Sequence, residues 1–237
     1  MLSGISAVAF DLDGTLYPNY RLYIRLLPFL LRHWRLLAAF GKARNIIRQE
    51  QEQSPPDQLV WLQDKAIGFH EYQAGLTANL LREQPDRIQE KIDTLIYRGW
   101  EPHFAKIKLF PHVRELLEAL KTAGFRLGLL SDFPLQAKLK HLDITGYWDT
   151  ALCSENSGAL KPAARPFADL AEALQCPPEQ ILYVGNNRRY DAAGAKRAGM
   201  KTALITGRFT AGRIAHAGTG ADYIFHDYRQ LHNFVLK

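Results

Sequence analysis

Two aspartates, Asp11 and Asp13, stand two residues apart at the end of the apolar run Ala7-Val8-Ala9-Phe10, with Gly14 directly after them. Residues two apart on an extended chain point to the same side, so both carboxylates can address one site, and the glycine permits a tight turn beside them. Two acids this close repel, and a divalent cation is the commonest way to keep one ionised while the other exchanges protons. The plainer reading is a solvated turn made by Asp-Leu-Asp-Gly. A second apolar run, Leu129-Leu130, ends in Ser131, whose hydroxyl and neighbouring N–H groups can donate hydrogen bonds to a ligand. A serine in that position also serves as a helix N-cap.

Groups this far apart in the chain need a scaffold that gathers strand ends. Ala7 to Phe10 has the pattern of a short buried strand opening into a functional loop. From Tyr20 to about Lys108 apolar residues recur at helical spacing, as in Leu22, Leu26, Phe29, Leu30, His33 and Leu37, with breaks at Ser54-Pro55-Pro56 and Gln84-Pro85-Asp86. Beyond Phe110-Pro111 the pattern alternates. Helices are expected over 113–121, 164–174 and 191–198, and strands over 126–130, 181–184, 202–205 and 223–225. Such alternation predicts an α/β fold with a parallel sheet covered on both faces, binding ligands outside the carboxyl ends of its strands. The helical stretch is too long for a loop in a compact domain. It reads as a cap over 19–108, inserted into an α/β core of 1–18 and 109–237, over the Asp11 motif.

Phe10-Asp11-Leu12-Asp13-Gly14-Thr15-Leu16 resembles the first motif of the haloacid dehalogenase-like hydrolase superfamily. Leu129-Leu130-Ser131-Asp132 resembles the second, Lys161-Pro162 the third, and Val184-Gly185-Asn186-Asn187 through Asp191 the fourth, continued by Gly194-Ala195 and Ala198-Gly199-Met200. Four motifs in order span the chain outside the cap. The resemblance implies a Rossmann-like core with the cap after the first strand. It implies a Mg2+-dependent phosphohydrolase that cleaves a small-molecule phosphomonoester.

By that resemblance Asp11 attacks phosphorus to form an aspartyl-phosphate, and Asp13 acts as general acid and then general base. Dehalogenating relatives need no such proton shuttle and typically lack an acid at the position of Asp13, which favours phosphate chemistry. Lys161 neutralises charge on carboxylate and phosphoryl group, although most lysines are solvated surface residues. The resemblance gives substrate contacts to Leu12, Ser131, Asp132 and Lys161, and metal contacts to Asp11, Asp13, Asn186 and Asp191. Two positions depart from the family pattern. Asp132 stands where asparagine is usual, and its charge is unfavourable beside a phosphate unless paired or turned away. Asn186 stands where an aspartate is usual, so the metal site has one fewer negative charge, and the sequence leaves open whether Asn186 or Asp191 is the direct ligand.

The remaining signals concern partners. The 237 residues carry a formal charge of +6, with 47% hydrophobic and 23% charged residues, an ordinary globular composition. No basic segment followed by an apolar core and cleavage site opens the chain, and Cys153 and Cys176 match no metal or redox spacing, so the expectation is cytoplasmic. No specific nucleic-acid site is evident. Between Gly14 and Gln49 there is no Asp or Glu, while Arg21, Arg25, Arg32, Arg35, Lys42, Arg44 and Arg48 accumulate. This stretch reads as a packed cap helix with solvated arginines, as a lining that attracts an anionic substrate, or as a weak contact with anionic membrane. Monomer and homodimer both stay open. So do nucleotides, sugar phosphates and organic acid phosphates as substrates, a phosphotransferase or mutase using the same Asp11, and a catalytically weak binding protein.

Overall fold

A computed structural model describes residues 2–53, 68–207 and 220–237. Strands β1 (Ala7–Phe10), β2 (Arg126–Ser131), β3 (Thr150–Cys153), β4 (Ile181–Gly185), β5 (Lys201–Ile205) and β6 (Tyr223–Phe225) form one sheet in the order β3-β2-β1-β4-β5-β6. Every pairing is parallel, with β1 at the centre between β2 and β4. The expected α/β parallel architecture is therefore the observed one. The strand β3 has no counterpart in the sequence reading, because Thr150–Cys153 is a short, half-buried segment near the sheet edge.

Period-two alternation explains how β1 divides its contacts. Val8 and Phe10 join a cluster with Leu116, Leu117 and Leu120 of the helix Val113–Thr122 and with Leu231 and Val235 of the C-terminal helix Tyr228–Leu236. Ala7 and Ala9 join the opposite cluster with Phe167, Leu170 and Leu174 around the helix Ala164–Ala173. A strand buried on both faces must read as continuously apolar, which is why the Ala-Val-Ala-Phe run was legible without alternation.

Between β1 and the helix Val113–Thr122 lie α1 (Asn19–Arg32), α2 (Trp34–Gln53), α3 (Phe69–Leu81), α4 (Pro85–Lys91, continued by a π-helical segment Ile92–Tyr97) and α5 (Glu101–Phe104). Pro85 occupies the first turn of α4, where its missing N–H costs nothing. The break expected at Ser54-Pro55-Pro56 lies outside the described residues. The middle of this insertion has its own core of Leu36, Phe40, Ala74, Ala78, Ile88 and Ile92. Its two ends pack differently: Leu22, Leu26, Phe104 and Ile107 belong to the large cluster of the main body.

Candidate active site

Asp11 and Asp13 follow directly on the central strand, and Gly14 turns the chain at φ +88°. A Cβ there would meet the side-chain nitrogen of Asn186 at 2.0 Å and that of Asn19 at 2.7 Å, so only glycine fits this turn. Asp11 is 5% exposed. It accepts hydrogen bonds from Thr15 Oγ1 at 2.7 Å and from Lys161 Nζ at 2.7 Å. Burial pushes the Asp11 carboxyl up to about 7; the Lys161 ammonium opposes this, while the carboxylates of Asp191 and Asp13 add to it.

Asp13 has richer company. Lys138 Nζ donates to both carboxylate oxygens at 2.7 Å, Ser131 Oγ donates at 3.0 Å, and the Tyr17 hydroxyl donates as well. Burial acts to raise the Asp13 carboxyl, but Lys138 and the hydrogen bonds of Tyr17 and Ser131 outweigh it and hold the group below its ordinary range. Lys138 lies on the helix Gln136–Leu142, with its ammonium 5.4 Å from the Phe104 ring centroid and 5.5 Å from that of Phe133. It was not singled out in the sequence, where a lysine among Gln136, Lys140 and His141 looks like part of a solvated helix.

Lys161 is 3% exposed and its ammonium spans two acids, 2.7 Å from Asp11 Oδ1 and 2.7 Å from Asp191 Oδ1, with the Tyr183 hydroxyl at 3.2 Å. Burial disfavours its charge, yet Asp11 and Asp191 raise its pKa well above the ordinary lysine value. The other oxygen of Asp191 accepts the backbone N–H groups of Asn186 at 3.1 Å and Asn187 at 2.9 Å. Asp191 itself lies in a π-helical turn, Arg188–Ala192, that precedes the helix Ala193–Arg197 where one continuous helix was expected. Such turns concentrate at functional sites because they re-aim a side chain.

The charge of Asp132 is resolved by its partners. Its carboxylate turns to Arg48 Nη2 at 2.9 Å, the Ser154 hydroxyl at 2.5 Å and the Lys161 backbone N–H at 3.1 Å. Burial would raise its carboxyl, but Lys161, Arg48 and Arg44 together hold it below the usual range. Arg48 also donates to the Lys161 carbonyl at 2.9 Å, so one α2 side chain ties the second and third motifs together. One turn earlier, Arg44 forms a buried ion pair with Glu155 and donates to Gln73 and to the Asp132 carbonyl at 2.7 Å. The basic stretch therefore divides: Arg44 and Arg48 turn into the body, whereas Arg21, Arg25, Arg32 and Arg35 are exposed. A signal for Arg44 existed, since it shares a helix face with Phe40, Ala43 and Ile47 at the spacing of a buried stripe.

Among the described residues no three His, Cys, Asp or Glu side chains converge as a metal-binding cluster. The expected metal set of Asp11, Asp13, Asn186 and Asp191 is arranged unevenly. Both Asp191 oxygens and both Asp13 side-chain oxygens already accept hydrogen bonds. The Asn186 side chain instead reaches the Asp13 main-chain carbonyl, its Nδ2 at 3.3 Å. Turning that amide over would bring Oδ1 beside the same carbonyl, giving hard oxygen donors that suit Mg2+ close to the Asp11 turn, where one ammonium, Lys161, is shared between Asp11 and Asp191. The donor chemistry therefore fits a magnesium ion. A cavity of about 490 Å³ opens beside this point, lined by Gly14, Asn186, Phe110, Thr206 and Tyr228, while Asp11 itself is covered.

A family model for haloacid dehalogenase-like hydrolases matches residues 5–199. The phosphoglycolate phosphatase of Salmonella choleraesuis is 28% identical over 244 residues, covering 97% of this chain and 92% of the relative. The glyceraldehyde 3-phosphate phosphatase of Methanopyrus kandleri is 30% identical over 212 residues, covering 85% and 84%. In fold, the L-2-haloacid dehalogenase RSc1362 superposes with a TM-score of 0.65 at 22% identity, covering 98% of this chain and 99% of that one.

Proposed function

The chain belongs to the haloacid dehalogenase-like hydrolases, and from that premise we propose that it is a Mg2+-dependent phosphohydrolase acting on a small phosphomonoester through an aspartyl-phosphate on Asp11. One observation carries the choice of phosphate over halide. Asp13 stands inside the site, hydrogen-bonded by Ser131 and ion-paired to Lys138, as a second acid for proton transfer. Halide displacement needs no such group. The phosphatase names of the relatives support the same choice.

In this reading the Asp11 carboxylate attacks phosphorus, Lys161 keeps it ionised and offsets charge on the phosphoryl oxygens, and Ser131 with the backbone N–H groups after Asp13 holds those oxygens. Asp13 gives a proton to the leaving oxygen from its protonated fraction, which the Lys138 pairing keeps small, and, ionised again, takes one from the attacking water. Leu12 and Asp132 contribute by position: Leu12 fixes the spacing of the two acids, and Asp132 braces Ser154, Arg48 and Lys161. Asp11, the Asp13 carbonyl and Asn186 would hold the cation, with Asp191 acting through Lys161 and the turn at Asn186. Bound Mg2+ would supply positive charge beside the transferring phosphoryl group. The insertion over 19–108 would act as the cap that covers the site and selects the substrate. Among the described residues no helix is long and apolar enough to cross a membrane, and a cytoplasmic metabolite phosphatase is the setting we propose.

Phosphate release should be assayed with Mg2+ across a phosphomonoester panel that includes 2-phosphoglycolate and glyceraldehyde 3-phosphate, with chloride release from 2-chloropropionate measured in parallel. Turnover of at least one phosphomonoester without chloride release supports the reading. Chloride release without phosphate release, or turnover of neither, refutes it.

A further inference from the structure

Among the described residues, large hydrophobic side chains that are more than a third exposed are concentrated in one place. Tyr20, Tyr23, Ile24, Leu27, Leu31 and Trp34 are each between 51% and 68% exposed, and only Leu80, at 37%, lies elsewhere. Their positions step by three, one, three, four and three residues, which keeps them on one face of α1 and its junction with α2. The opposite face of α1 is already spent: Leu22 and Leu26 are buried, and Phe29 and Leu30 pack against the main core. A single exposed leucine needs no explanation, but a contiguous stripe marks a surface that is covered by something.

The charges around the stripe say what kind of cover fits. Arg21, Arg25 and Arg32 recur at helical spacing along one flank, Arg35 follows beside Trp34, and no acidic residue occurs between Gly14 and Gln49. A second copy of this chain meeting the stripe across a two-fold axis would bring the same arginine rows together with no carboxylate on the stretch to pair them. An anionic lipid surface has the opposite sign everywhere. The stripe also has the order such a surface favours, with Tyr20 and Tyr23 at one end, Trp34 at the other and aliphatic side chains between them. At 14 residues, or roughly 21 Å, α1 is suited to lie in the interface rather than to cross it.

We propose that α1 is a membrane-surface docking helix, which lays Tyr20, Tyr23, Ile24, Leu27, Leu31 and Trp34 into the headgroup region of an anionic bilayer while Arg21, Arg25, Arg32 and Arg35 contact its phosphates. This inference does not depend on the reaction assigned to the site.

Vesicle flotation of the full chain tests it, using vesicles of equal parts phosphatidylcholine and phosphatidylglycerol against vesicles of phosphatidylcholine alone. The wild type should float with the anionic vesicles, less so at high salt, and stay behind with the zwitterionic ones. The apolar triple variant Ile24→Ser, Leu27→Ser, Leu31→Ser and the charge variant Arg21→Gln, Arg25→Gln, Arg32→Gln should each lose about tenfold or more of that partitioning. All six positions are exposed, and melting curves matching the wild type would confirm that both variants fold. Failure of the wild type to float overturns the proposal, as does equal flotation of wild type and both variants. A wild-type dimer that the apolar variant converts to monomer, without lipid binding, would assign the stripe to a second copy instead.

Discussion

Lys138 holds both carboxylate oxygens of Asp13 at 2.7 Å, so the acid two residues from the proposed nucleophile is an ionised, tightly paired group. A carboxylate in that condition is ready to take a proton from water but poorly prepared to give one to a leaving alkoxide. Lys138→Met removes the pairing charge and lets burial raise the Asp13 carboxyl. The expected result at neutral pH is a rise of about threefold or more in the rate ratio of alkyl to aryl phosphates, because protonation matters only for the poorer leaving group. The acid limb of the pH profile should move upward in the same variant. An unchanged ratio and profile would show that Lys138 does not set the state of Asp13.

The buried pair of Arg44 and Glu155 joins α2 to the segment after β3, with both side chains almost fully enclosed. Removing one partner leaves a bare charge in the interior. Arg44→Met should cost about 3–5 kcal/mol in denaturant unfolding, and adding Glu155→Gln to it should restore more than about 1 kcal/mol. A double variant no more stable than the single one would mean that the loss comes from packing against Phe40 and Phe133 rather than from the stranded carboxylate.

Asn186→Asp restores a carboxylate against the Asp13 carbonyl, where the amide now donates a hydrogen bond. Two acceptors then face each other without a proton between them, so in the presence of a chelator the melting temperature should fall. With Mg2+ the sign reverses, and calorimetric titration of the free protein should give about tenfold tighter Mg2+ binding than the wild type. Weaker or unchanged Mg2+ binding would remove Asn186 from the set of cation contacts.

Asp11 contributes a pH dependence whose sign follows from its raised carboxyl. Its ordinary value is 3.8 and its folded value about 7, so the unfolded chain releases this proton first as pH rises. The folded state pays nothing below pH 3.8, loses stability progressively between 3.8 and 7, and carries the full cost above 7. Asp11→Asn has no proton to lose. In chelator, the variant should exceed the wild type in stability by on the order of 1–4 kcal/mol at pH 8, with the gap closing toward pH 4. Parallel stability curves across that range would contradict the burial cost assigned to Asp11.

Much of this site was legible because strand ends announce themselves. Asp11, Ser131 and Asn186 each close an apolar run, and a parallel sheet must bring such ends to one edge, which is where they lie. Local pattern carries no such information for Lys138, Arg48, Glu155 or Tyr183, whose partners are distant in the chain and whose own neighbours look like ordinary helix or strand. Asp132 shows the limit most clearly. Its charge looked unfavourable beside a phosphate, and only the position of Arg48 on α2 reveals that the carboxylate turns to a cation instead. The edge strand β3 escaped for a different reason, since half-buried Thr150 and Ala151 lack the apolar run that marked β1, β2 and β4.

The central claim is a covalent phosphoryl group on Asp11, and acid-quenched turnover followed by borohydride reduction tests it most directly. Reduction converts an aspartyl-phosphate to homoserine, which peptide sequencing by mass spectrometry locates. Turnover of a phosphomonoester with Mg2+ should yield homoserine at position 11 in the wild type, and neither homoserine nor phosphate release in Asp11→Asn. Phosphate retained on Ser131 or another residue, or undiminished turnover by Asp11→Asn, would contradict it.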